Sequence, residues 1–405
     1  MSIRKQIIKN SVWGNLNILA RYVLSFFATA VIASKYGPAD FGIYQLVITY
    51  VGILDALVLL NPSHLKNHLV EYPEDEPKVI SAWKIHNSIL WVLIVVGIGG
   101  LYYFSDDKVF YALLFFSSLR LFFRIFEYSQ ILIDARSRGD LVQKIQIVSA
   151  GAYNGSRSVF ALLGASLNLV GAASFFQGVF ATMVQFKFAR DIGAPLKGVY
   201  QKGFCISLIR KSFPLAIMSF LSVFQVRVIG VLMVSRMGME EYGGFQLVSK
   251  LIEPVTAIGM VIFSANYTAL AHTYKADIRV FKKRFLKISA VTVAASLLFT
   301  VSLVVFPKTW LVLAFGEAYK TAIDYLWMGP FVVLSIVCFS LCVNYDLLTY
   351  RYRTAMLRYI AVIIGYGLAS LLYPDFSIFS ALSLTVLVPL IVTALFSLSY
   401  FFDRK

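Results

Sequence analysis

Apolar stretches of about 20 residues recur along this chain from end to end, each long enough to cross a bilayer. Lipid offers no partner to a free backbone N–H or C=O, so each stretch must satisfy its own backbone and can only be a helix. The pattern predicts an all-α polytopic membrane protein with twelve spans. They fall at about 10–33, 41–64, 85–104, 109–133, 141–165, 167–188, 213–235, 242–266, 285–306, 326–347, 355–373 and 378–401. Only 14% of the residues are charged, against about 25% in a soluble domain, which excludes a water-soluble globule. The first stretch contains Arg21 and no small-residue cleavage site follows it, so a retained span is expected rather than a signal peptide. Cys205, Cys338 and Cys342 make no disulfide framework. Cys338 and Cys342 lie one helical turn apart in an apolar span and read as packing.

The sequence also repeats itself after 201 residues, half its length. Residues 34–47 read SKYGPADFGIYQLV and residues 235–248 read SRMGMEEYGGFQLV. Six of the 14 positions are identical, among them Gly37/Gly238, Gly42/Gly243 and Gln45/Gln246, and four more keep their chemistry. A polytopic chain of two similar halves is the architecture of a transporter, with its substrate path between the halves. Within each copy, Gly37 and Gly238 suit a tight turn between antiparallel helices. Asp40 and Glu241 suit the positive end of the helix that follows. The segment LVLAFGEAYKTAIDY at 311–325 has only a short apolar piece before Glu317, which predicts an interfacial or re-entrant segment.

The connections at 66–84, 134–144, 187–211, 272–287 and 346–358, which overlap the span edges, hold with both termini 26 of the 37 lysines and arginines, while the opposite side holds Lys35, Lys108, Arg236, Lys308 and Lys320. That bias predicts cytoplasmic termini. Six spans separate the two copies of the repeat, so both keep one orientation and the halves should be related by an axis along the membrane normal. The expected division is an N-terminal six-helix lobe at 1–188, a basic cytoplasmic linker at 189–211 and a C-terminal six-helix lobe at 212–405.

Charges inside the spans carry the functional reading. Once the 31 cations of the connections, span edges and termini are set aside, six remain: Arg21, Arg120, Arg124, Arg157, Arg227 and Lys250. Three acids join them: Asp55, Glu127 and Glu253. A charge at membrane depth costs about 2.5–3.5 kcal/mol even on the lenient insertion scale, so each faces water or a partner. They fall on polar stripes: Gly14, Asn17, Arg21 and Ser25 in the first span; Arg120, Arg124 and Glu127 in the fourth; Gln143, Gln146, Asn154 and Arg157 in the fifth; Gln246, Lys250 and Glu253 in the eighth. Arg124–Glu127 and Lys250–Glu253 are spaced for local ion pairs, and Asp55 could neutralise one distant cation. Arg21, Arg157 and Arg227 have no local acid. They suit either a substrate cavity or a structural role on backbone carbonyls. The excess of three positive charges suits an anionic substrate, and arginine matches phosphate oxygens in a bidentate fork. The expected substrate-binding set is therefore Arg21, Arg157, Arg227, Lys250 and Arg124, with Asp55, Glu127 and Glu253 as coupling groups or charge partners.

Several segments together resemble a known family. A basic N-terminus (Arg4, Lys5, Lys9-Asn10) leads into the first span, YGPADFGIYQLV follows at 36–47, and the second half opens KSFPLAIMSFL at 211–221. This resembles the Wzx-type O-antigen and capsule oligosaccharide flippases of the multidrug/oligosaccharidyl-lipid/polysaccharide exporter (MOP) superfamily. The resemblance implies a MATE-like, V-shaped pair of six-helix lobes in the bacterial cytoplasmic membrane. It implies movement of undecaprenyl-diphosphate-linked oligosaccharide from the cytoplasmic to the periplasmic leaflet by alternating access. It also implies handover to a polysaccharide polymerase and chain-length regulator. Arg21 and Lys250 occupy the kind of position where related lipid flippases place cavity cations. Arg157 and Arg227 rest on the stripes alone. Members of the superfamily often carry an acid in the seventh span, where this chain has Arg227, so ion coupling there is not expected.

Two other classes compete. A membrane-embedded polysaccharide polymerase or transferase would be polytopic and basic too, but such enzymes carry a sizeable external loop or clustered His and Asp. Here the longest external segment, 307–325, has no histidine. His64 and His68 are one turn apart without a third ligand, so no metal is expected. A drug or cation antiporter of the same superfamily would favour buried acids for a cationic substrate, whereas the excess here is positive. No phosphate-binding glycine loop is present, so no nucleotide or other cofactor is expected. The basic charge is topological and does not indicate nucleic acid.

Overall fold

The computed structural model describes residues 3–372 and 377–402, and every regular element among them is helical. The fifteen α-helices are α1 (Ile3–Ala56), α2 (Pro62–Glu71), α3 (Glu76–Phe104), α4 (Lys108–Ser118), α5 (Tyr128–Ala135), α6 (Gly139–Leu162), α7 (Leu167–Asp191), α8 (Lys202–Val234), α9 (Met239–Ala276), α10 (Ile278–Val305), α11 (Lys308–Phe315), α12 (Lys320–Asp324), α13 (Gly329–Leu348), α14 (Tyr352–Leu372) and α15 (Ile378–Phe402). Among the described residues, ten segments are long and apolar enough to cross a membrane. Two of the twelve expected spans escape that count for physical reasons. α1 counts once, although it carries the first two spans as separate rods broken at Gly37, whose φ of 75° and ψ of 175° no helix contains. α6 carries the fifth span, but Gln143, Lys144, Gln146, Asn154 and Arg157 make it too polar to qualify by composition.

Three expected boundaries move. The second span ends at Ala56 rather than 64, because a new helix is capped just beyond it. The Asn61 side chain accepts from the N–H groups of Ser63 (3.0 Å) and His64 (3.2 Å), and Pro62 opens α2. The fourth span is interrupted: residues Leu119–Phe126 form a tight 3-10 stretch between α4 and α5. There the Arg124 carbonyl accepts both the Glu127 N–H (3.0 Å) and the Trp83 indole N–H (2.6 Å). An eight-residue 3-10 run is longer than such helices usually sustain and marks a locally constrained segment. The connection expected at 346–358 is mostly helix, since α13 continues to Leu348 and α14 begins at Tyr352. The segment at 308–328 folds into α11, α12 and two short 3-10 turns.

The chain divides into two compact units, Met1–Lys35 with Leu46–Val223, and Tyr36–Gln45 with Phe224–Lys405. In the first, α7 packs along α6 and α4. Leu65, Leu69, Ile80, Trp83, Tyr128, Leu132 and Ile145 form a closed apolar cluster at one end of it. In the second, α13 is the central rod, packed by α9, α10, α14 and α15.

The two copies of the repeat meet inside the second unit. A Cβ on Gly243 would fall onto the Pro38 carbonyl oxygen, and one on Gly42 onto the Met239 carbonyl oxygen. Backbone thus lies against backbone, an approach only glycine at both positions allows. Beside the crossing, the Phe41 and Tyr319 rings pack edge to face at 6.0 Å, both buried.

Candidate functional site

The polar stripes of α1 and α6 face one another in the first unit. Asn17 donates from its amide nitrogen to Gln143 Oε1 and Gln146 Oε1, both at 2.7 Å. One end of this interface is closed by Lys144, whose Nζ lies 4.6 Å from the Trp13 ring. Further along, Arg157 is 5% exposed. Its Nη2 donates to Asn154 Oδ1 at 2.6 Å and approaches the Ser25 carbonyl at 3.4 Å, while the guanidinium stacks 4.7 Å from the Tyr153 ring. Arg21 sits one turn before Ser25 on α1, so its charge and that of Arg157 occupy adjacent turns of one interface. Arg21 itself is exposed.

A second cluster gathers α1 and the 3-10 stretch. Asp55 is shared by two cations. Its Oδ2 accepts from Arg120 Nη2 at 2.8 Å, and its Oδ1 lies 2.9 Å from Arg124 Nη1, which also donates to the Asp55 carbonyl. Glu127 Oε2 lies 3.7 Å from Arg124 Nε, looser than the local pair its spacing predicts. Arg120, for which the sequence offers a snorkelling or helix-buttressing role, is therefore an Asp55 partner. Replacing Asp55 with Ala should destabilise the protein by about 2 kcal/mol, the scale of a lost charged hydrogen bond with partners left behind. Thermal unfolding of the purified protein checks this, and Asp55→Glu should recover part of the loss.

In the second unit, Lys250 Nζ lies 2.7 Å from Glu253 Oε2, the pair expected from their spacing. On α8, a Cβ at Gly230 would come within 3.0 Å of the Tyr242 hydroxyl and 3.2 Å of Gln246 Nε2 on α9. The turn at 235–238 makes these helices antiparallel, so one turn further from it Arg227 on α8 and Lys250 on α9 share a depth. Among the described residues, Arg21 and Arg227 make no hydrogen bond or ion pair.

One charge pair is hidden from sequence reading. Arg358, which the sequence places among the cytoplasmic connections, is fully buried, with its Nε 2.7 Å from Asp346 Oδ2, which is also fully buried. The Arg358 guanidinium lies 5.1 Å from the Phe396 ring. The available signal is an acid and a base bracketing a short connection between two apolar spans. Among the described residues, no group of three or more His, Cys, Asp or Glu side chains could hold a metal ion; His68 instead pairs with Asp75 at 2.9 Å. The cysteines are free and half-buried.

As a sequence, the chain matches no protein family model and no curated protein. As a fold, it is similar to solved MATE transporters. An outward-facing multidrug resistance MATE family transporter of the MOP superfamily superposes with a TM-score of 0.69 at 12% identity, over 98% of this chain and 95% of the other. A MATE protein in complex with MaL6 gives 0.68 at 14% identity, over 97% and 94%. The MATE multidrug transporter DinF-BH gives 0.64 at 15% identity, over 100% and 96%. The chain is a multi-pass helical membrane protein with the MATE fold.

Proposed function

We propose that this protein is a transporter that moves an anionic lipid-linked oligosaccharide across the bacterial cytoplasmic membrane. The cargo would be a polyprenyl-diphosphate carrying one glycan repeat unit, released for O-antigen or capsule assembly. The observation that carries this reading concerns Arg21 and Arg227, one in each unit. Both lie within segments long and apolar enough to cross a membrane, with no carboxylate and no hydrogen-bond partner among the described residues. A guanidinium in a membrane span without a partner is costly unless an anion visits it, and its planar fork suits diphosphate oxygens. Arg157 adds charge beside Arg21, and Lys250 adds charge at the depth of Arg227. Arg124 is the fifth cation, held on Asp55. The polyprenyl tail stays in lipid while access to the headgroup alternates between the two faces of the membrane. No covalent chemistry is needed.

The fold also accommodates a drug or cation antiporter. Such a carrier needs an intramembrane carboxylate open to a cation, whereas Asp55, Glu127, Glu253 and Asp346 each already lie against an arginine or lysine.

The test is complementation of a strain lacking its O-antigen or capsule flippase, with the matching glycan cluster supplied. Wild type should restore surface glycan. Arg21→Ala and Arg227→Ala at equal membrane levels should each lower it at least about tenfold, the scale of one lost charge-assisted contact. Lipid-linked single repeat units should accumulate inside, and Arg157→Ala should follow. Normal surface glycan in all three variants would remove the cationic path. Periplasmic but unpolymerised repeat units in the strain without this protein would point to a polymerase instead.

A further inference from the structure

The first unit contains a polar cavity that the cationic path does not use. It has a volume of about 260 Å³ and lies between α2, α3, α5 and α6. Its polar lining comes from two helix faces. α2 supplies Lys66 and Asn67, and the run into α5 supplies Glu127, Gln130 and Asp134 at three- and four-residue steps, with Trp83 behind. Lys66 Nζ closes on Asp134 Oδ2 at 3.0 Å, joining α2 to α5 across the cavity. Among the described residues, the side-chain amides of Asn67 and Gln130 make no hydrogen bond.

This lining is selective in charge. Lys66 balances Asp134, and Arg124 lies behind Glu127. An anion entering here would meet two carboxylates, and a cation would have to compete with Lys66 and Arg124 for carboxylates they already neutralise. What the lining offers is hydrogen bonding of both senses: two amides that each donate and accept, two carboxylates that accept, and an ammonium that donates. Vicinal hydroxyls, each donor and acceptor at once, match that set. The volume is slightly below the range of about 300–1,000 Å³ that holds drug-sized ligands, which suits one ring. Unpartnered amides in a wet cavity lose nothing when empty and gain a fixed partner when a hydroxyl arrives.

We infer that this cavity is a binding site for a single neutral sugar ring, held by Asn67, Gln130, Glu127 and Asp134. The inference rests on the glycan-transport reading for its place in the cycle: the cavity would receive one sugar of the repeat unit while the arginines hold the diphosphate. It is separable from that reading by experiment, because the ring alone should bind.

The purified full-length protein in detergent is titrated with radiolabelled glucose, galactose, mannose and N-acetylglucosamine, each as free monosaccharide. At least one should bind saturably. Asn67→Ala and Gln130→Ala should each weaken that binding about tenfold, and the double variant further, while Arg21→Ala and Arg227→Ala bind it as wild type does. Asn67 is exposed, so its truncation leaves folding intact. If none of the four sugars binds, or if the Asn67 and Gln130 variants bind as tightly as wild type, the cavity is only a hydrated crevice and the inference is overturned. Sugar binding that responds to these variants, in a protein that restores no surface glycan, supports the cavity and removes the flippase reading. Restored glycan without sugar binding does the reverse.

Discussion

Truncating Asp346 to alanine is expected to cost about 3–5 kcal/mol of stability, because it leaves the Arg358 guanidinium buried without its carboxylate. Both partners are fully buried, with 2.7 Å between Arg358 Nε and Asp346 Oδ2. No solvent screens the abandoned charge, and the stacked Phe396 ring supplies only part of a replacement. Replacing both partners by apolar residues, Asp346→Leu with Arg358→Met, should recover most of the loss, since it removes the desolvated charges together. Denaturant unfolding of the purified protein in detergent reads both values. A single variant within about 0.5 kcal/mol of wild type, the range of an ordinary surface change, would show that water reaches the pair.

Gly243→Val is the second substitution with a large expected effect, about 3 kcal/mol, at or above the top of the usual overpacking range. Most overpacked side chains find relief in a neighbour's rotamer. Here the obstacle is the Pro38 carbonyl, and behind it the Gly42 backbone nitrogen at 3.2 Å, neither of which has a rotamer. The two segments must separate, which also disturbs the buried contact between Phe41 and Tyr319. Gly37 offers the matching contrast. Nothing lies within 4 Å of a Cβ placed there, but its φ of 75° belongs to the left-handed side of backbone space. Gly37→Ala should therefore cost only about 1–2 kcal/mol, from backbone strain alone. Thermal unfolding of the two variants side by side distinguishes closed space from strained backbone. Equal losses would mean the crossing opens without resistance.

The repeat itself is legible in the sequence, and so is the turn at Gly37, where the backbone does break. The other glycine pair shared by the two copies, Gly42 and Gly243, carries no such message. Nothing in either copy read alone announces that the two copies pack on each other. The stripes behave similarly. Asn17, Gln143, Gln146 and Arg157 lie on the expected helix faces because helical period follows from local sequence. That the α1 and α6 stripes face each other depends on how the helices are placed. Sequence reading gives Asp55 one distant cation. It takes two, because the 3-10 stretch brings both Arg120 and Arg124 to it. Arg358 reads as part of a watery connection because its neighbours Arg351 and Arg353 are basic, yet the helix it belongs to turns it inward.

The sequence alone determined the solvent, the secondary structure and the approximate spans, since the need to satisfy every backbone group in lipid leaves apolar stretches no alternative to helix. It also marked six cations and three acids inside the spans, but not the buried Arg358 and Asp346. Tertiary structure alone decided which of those charges are spoken for. A carboxylate finds its arginine through space, at separations of 65 residues for Asp55 and Arg120 and 12 for Asp346 and Arg358. Local pairs such as Lys250–Glu253 follow from spacing, but these longer-range ones do not, and none of them reaches Arg21 or Arg227, which have no partner among the described residues.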